Sequence, residues 1–100
     1  MPEYRNDEEG NFVCSFSGRL DTNAATSFEE ELFDRVQKSK EKIVLDLKNT
    51  EYISSAFLRI CVRIAARASK EKIRIINLSD TNFNVYKMTG LDRVFELHRI

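Results

Sequence analysis

The chain has 100 residues, and among them are no tryptophan, one histidine, two cysteines and three glycines. Its 16 basic side chains are balanced by 16 acidic ones. Each shortage closes off a class of function. Three glycines scattered at positions 10, 18 and 90 cannot build a phosphate-cradling loop. His98 has no second histidine or neighbouring cysteine to share a metal, and it leaves neither a His-centred triad nor a nucleophile elbow. It reads as a frayed surface residue. Cys14 and Cys61 are far apart and too few for a small disulfide scaffold, so both are expected as buried thiols. With no net charge, no global field draws the chain to nucleic acid or to an anionic membrane. The apolar runs are far too short to span a bilayer. Met1-Pro2-Glu3-Tyr4 opens on an acid, unlike the basic start of a secretory signal. The expectation is a soluble, cytoplasmic protein that is not an enzyme, needs no cofactor, and neither binds nucleic acid directly nor inserts into a membrane.

What is present suits one core. The apolar fraction is 42%, and seven of the ten aromatics are phenylalanine. A chain of this length is one domain's worth, residues 1–100, and folds without covalent staples. Glu9-Gly10-Asn11 is turn chemistry, followed by period-two alternation. Phe12, Cys14, Phe16 and Leu20 share one face with Gly18, and Val13, Ser15, Ser17 and Arg19 the other, as in a strand with one buried face near a sheet edge. Asp21 or Thr22 then caps a helix to about Ser39, striped by Ala25, Phe28, Leu32 and Val36. Ile43-Val44-Leu45-Asp46-Leu47 suits a central strand covered on both faces.

A second helix is expected from Ser55 to about Ser69, and a strand over Ile73–Leu78. Ser79 or Asp80 caps a third helix, which Thr89-Gly90-Leu91 closes, with Gly90 in the left-handed position and Leu91 as the hydrophobic contact beyond it. Val94–Leu97 fits either a strand or a last helical turn. Alternating strands and helices predict an α/β fold with a parallel sheet, made mixed by the leading hairpin.

Chemistry is sparse. Asp21, Asp46 and Asp80 all lie near strand–helix boundaries, as magnesium ligands would. Two of them are better read as helix caps and the third as part of a strand, so no metal is expected. The informative stretch is Tyr52-Ile53-Ser54-Ser55-Ala56-Phe57-Leu58-Arg59, where two serines stand at a helix start. Plain capping is one reading of the pair. The unpaired amides and positive dipole end also accommodate a phosphoryl group, so the site suits a reversible switch as well. Arg59, Arg63 and Arg67 recur every fourth residue along the helix that follows. They read either as a solvated face or as a docking stripe for an acidic partner.

Four segments in order make the chain resemble a STAS domain of the bacterial anti-sigma factor antagonist (anti-anti-sigma factor) family. They are Ser17-Gly18-Arg19-Leu20-Asp21-Thr22, Val44-Leu45-Asp46-Leu47, Tyr52 to Arg59, and Thr89-Gly90-Leu91-Asp92-Arg93-Val94-Phe95. The resemblance implies a mixed sheet of about four strands with helices mainly on one side. It also implies partner switching. An unphosphorylated antagonist binds an anti-sigma factor with serine kinase activity, is released when phosphorylated, and is reset by a serine phosphatase, so that transcription is regulated. By the same resemblance Ser55 is the phosphorylated serine, Ser54 stands where many members carry aspartate, and Asp21 is the acid near the switch. Asp21, Thr22, Ser54, Ser55, Ala56, Phe57, Arg59 and Arg63 are the expected partner-binding residues. Phe57, where the family usually has glycine, is expected to bear on kinase access. The alternative is an unphosphorylated STAS subunit of a lipid or anion transport assembly, bracing a membrane ATPase.

Overall fold

In the computed structural model, which describes residues 2–67 and 72–100, the chain begins with the expected hairpin. The Asp7 carboxylate accepts from the amides of Glu9 and Asn11 and from the Asn11 side chain, each at 2.9 Å. Those bonds, the Asn11 side chain's foremost, hold the Asp7 carboxyl below its usual value. Gly10 completes the turn at φ +83°, a conformation that a β-carbon disfavours. β1 (Glu3–Asn6) therefore returns antiparallel to β2 (Asn11–Leu20), with Tyr4 opposite Cys14.

Three strand–helix units follow: α1 (Thr22–Lys38) and β3 (Lys42–Ile53), α2 (Ser55–Arg67) and β4 (Arg74–Leu78), then α3 (Asp80–Met88) and β5 (Glu96–Arg99). Strand order in the sheet is β1-β2-β3-β4-β5, and every pairing after the hairpin is parallel. The mixed sheet has five strands rather than about four. The ambiguous segment at the end resolves as a 3₁₀ turn at Leu91–Arg93 followed by a true strand, so His98 is an ordered edge-strand residue whose Nε2 lies 2.8 Å from Glu96 Oε2. The expected end of the second helix at Ser69 lies outside the described residues.

All three helices bury their apolar stripes in one core against one face of the sheet. Ala25, Phe28, Leu32 and Val36 of α1, Phe57, Ile60, Cys61 and Ile64 of α2, and Tyr86 of α3 meet Cys14, Phe16, Leu45, Leu47 and Ile75 of the strands. Phe16, Phe28 and Phe57 form an aromatic trio with centroids 5.1–6.3 Å apart. The expectation that β3 is covered on both faces needs correcting. Helices cover one face only, and on the other Val44 is buried at 3% exposure in a cross-strand row between Val13 and Arg74. Both thiols are buried, as expected, and burial pushes each up to about 12. Among the described residues no helix is long and apolar enough to cross a membrane.

The second half of β3 was not visible as a strand in the sequence. Its pairing with β2 is interrupted twice, between Ser15 and Ser17 and between Gly18 and Arg19, so that β3 gains two residues on its partner. The buried positions Leu47, Thr50 and Ile53 consequently fall every third residue, and the alternation that marks a strand is lost.

Candidate functional site

Two strand ends create the site. Without the two bulges Leu20 would face Glu51; with them it faces Ile53, and the Ser54 amide donates to the Leu20 carbonyl at 3.0 Å. The chain leaves β2 and β3 at the same level, side by side, and each exit becomes a helix start. Asp21 caps α1, its carboxylate accepting from the Ala24 amide at 2.9 Å. Ser54 caps α2: its Oγ accepts from the Phe57 amide at 3.2 Å, and its carbonyl from the Leu58 amide at 3.1 Å.

The two serines thus have different jobs. Ser54 is buried at 6% exposure, with its hydroxyl committed to the helix. Ser55, the first residue of α2, is exposed. It sits at a helix start with no acidic residue in the first turn, where the leading amides have no partner within the helix. A negative group on Ser55 therefore meets the positive end of the dipole.

The other expected partner-binding residues divide by exposure. Asp21, Thr22 and Arg59 are exposed beside Ser55. Ala56 and Phe57 are not surface residues: they are 6% and 0% exposed, and the Phe57 ring is packed between Phe16 and Phe28. The ring supports the helix from beneath and does not stand over Ser55. Arg63 leans across to α1, where its guanidinium reaches Glu29 at 2.8 Å and Glu30 at 3.1 Å and lies 3.9 Å from the Phe33 ring centroid. These bonds, Glu30's first, raise its already high pKa. The three-arginine stripe is therefore not uniform. Arg59 carries no ion pair among the described residues, Arg63 is half-covered, and Arg67 lies 6.0 Å from the Phe33 ring.

Of the three aspartates weighed as metal ligands, Asp21 caps α1, Asp46 accepts from the Lys48 amide and the Asn77 side chain, and Asp80 lies at the start of α3, 3.8 Å from Arg99.

Two surface features were not read from the sequence. Val62 of α2 is 43% exposed. With Leu58 and Leu91 it lines a shallow groove of about 420 Å³, flanked by Arg59, Arg63 and Thr89. On the helix-free side of the strand ends, the Arg19 guanidinium lies 4.6 Å over the ring of Tyr52, itself 41% exposed. Leu91 carried a signal, as the hydrophobic contact past Gly90; Val62 carried none, because its exposure depends on how α2 is rotated against α1.

Comparison with known proteins agrees with this architecture. Residues 5–99 match the model of the STAS domain. A candidate anti-sigma factor antagonist of Bordetella bronchiseptica, BtrV, is 28% identical over 89 residues, covering 87% of this chain and 77% of that protein. The crystal structure of an anti-sigma factor antagonist from Mycobacterium paratuberculosis superposes with a TM-score of 0.88 at 26% identity, over 100% of this chain and 86% of the other. The anti-sigma factor antagonist SpoIIAA in its unphosphorylated form shares the fold, with a TM-score of 0.69 at 14% identity, over 94% of this chain and 97% of the other.

Proposed function

The chain belongs to the STAS domain family, and we propose that it is a single-domain cytoplasmic anti-sigma factor antagonist, itself without catalytic activity, switched by phosphorylation of Ser55. One observation carries the reading: of two adjacent serines, one is buried and bonded as a helix cap while the other is exposed at the helix start. A kinase needs a hydroxyl that is accessible and whose modification leaves the fold standing. Ser55 meets both conditions, and Ser54 meets neither.

The partner, an anti-sigma factor with serine kinase activity, covers the end of the sheet and the outer side of α2. Asp21, Thr22, Ser55 and Arg59 touch it directly, Arg63 lies at its margin, and Ser54, Ala56 and Phe57 hold the surface in place from within. The groove of Leu58, Val62 and Leu91 supplies apolar area beside the charges. In the unphosphorylated state this surface is desolvated on binding. A phosphoserine brings roughly −1.5 to −2 charges into it, and like charge or unpaired charge at a contact weakens association strongly. Release follows, the sigma factor is recaptured, and a serine phosphatase restores the binding form.

Incubation with the partner kinase, nucleoside triphosphate and magnesium, followed by site mapping, tests this. Phosphate is expected on Ser55, with Ser55→Ala binding constitutively and Ser55→Asp binding poorly while folded. Phosphate on another residue, or none, overturns the switch.

A further inference from the structure

The cations around Ser55 are unequally available. Arg63 is held by Glu29 and Glu30 of α1. Arg19 lies over the Tyr52 ring on the helix-free side of the strand ends. Arg59 is exposed, one helical turn beyond Ser55, and has no acidic partner among the described residues. Residues four apart on a helix stand over one another, so Ser55 and Arg59 share one exposed face of α2. A dianion on Ser55 is drawn along α2 towards Arg59.

We propose that Arg59 is the internal counter-ion of phosphorylated Ser55, so that phosphorylation withdraws the docking cation from the partner as well as adding negative charge. Arg59 then serves two states: it is offered to an acidic partner surface when Ser55 is free, and is occupied within the chain when Ser55 is phosphorylated. This rests on Ser55 being the switch, but its test does not need the kinase.

Phosphoserine is incorporated at position 55 during translation of the full chain, and the second ionisation of the phosphate is followed by ³¹P NMR at low salt. An exposed i,i+4 charge pair is expected to lower that ionisation by roughly 0.3 of a pH unit, about a twofold change in proton affinity. Arg59→Gln should raise it by that amount, Arg59→Lys should largely restore it, and Arg67→Gln should leave it unchanged. Equal values in the parent and Arg59→Gln, or an equal rise in Arg67→Gln, would overturn the assignment. Kinase mapping that finds Ser55 unmodified sinks the switch instead and leaves the titration result standing.

Discussion

Replacing the two serines one at a time separates the cap from the proposed switch. Ser54 Oγ satisfies the Phe57 amide from a site with 6% exposure. Removing an N-cap hydroxyl costs about 1 kcal/mol, and a buried amide left without an acceptor costs about 1–3 kcal/mol. Because these describe the same lost bond, they are not added, and Ser54→Ala should cost about 1–2 kcal/mol. For a domain of this size each kcal/mol moves the melting temperature by about 4–8 °C, so a fall of roughly 4–16 °C is expected. Ser55 caps nothing and faces solvent, so Ser55→Ala should stay within about 0.5 kcal/mol of the parent. Ser54→Asp should recover most of the loss, since aspartate caps as well as serine. Thermal and urea melts followed by circular dichroism measure all three. Equal losses for the two alanine variants, or a larger one at Ser55, would refute the division of roles.

Three further outcomes follow from the packing. Phe57→Ala should cost about 3–5 kcal/mol by opening a cavity between Phe16 and Phe28, whereas Phe57→Leu should fold and leave the rate of Ser55 phosphorylation unchanged; a faster rate would put the ring over the serine after all. Arg63→Glu should lower the melting temperature by setting a third acid against Glu29 and Glu30, while Arg59→Glu should leave it alone and slow partner association instead; the reverse pattern would exchange their roles. Burial pushes Cys14, Cys61 and Tyr4 each up to about 12 and also raises Tyr86 well above its usual value, against about 8.5 for an unfolded thiol and about 10 for an unfolded phenol. The unfolded chain releases these protons first, so stability is complete below about pH 8.5 and falls as pH rises towards 12. A urea midpoint equal at pH 7 and pH 10.5 would contradict this.

Local chemistry made most of the fold legible in the sequence. The Gly10 turn, the α1 stripe, the caps at Asp21 and Ser79, and Gly90 at φ +77° past α3 each depend on residues within a turn of one another. What escaped depends on distant partners. The bulges that carry β3 to Ile53 exist only in its pairing with β2, and they break the strand period over Asn49–Tyr52. Arg63 finds its acids more than thirty residues earlier in the chain, so its spacing matched Arg59 while its surroundings did not. Ser54 and Ser55 are chemically identical. Which one turns inward is decided by the bond that ties Ser54 to Leu20, and no periodicity records that bond.

The order of strands in the sheet repeats their order in the chain. Each strand therefore docks on an edge made from residues already synthesised, and no early strand waits unpaired for a distant mate. Domains emerge from the ribosome N-terminal end first, at about 5–20 residues per second, and closing short loops before long ones limits the entropy lost at each step. The hairpin, α1 and β3 form the first unit that can close, and the two exits bearing Asp21 and Ser54 lie at its tip. The end of the sheet that carries both helix starts is built early, on a growing platform, and the later strands widen that platform without passing through it.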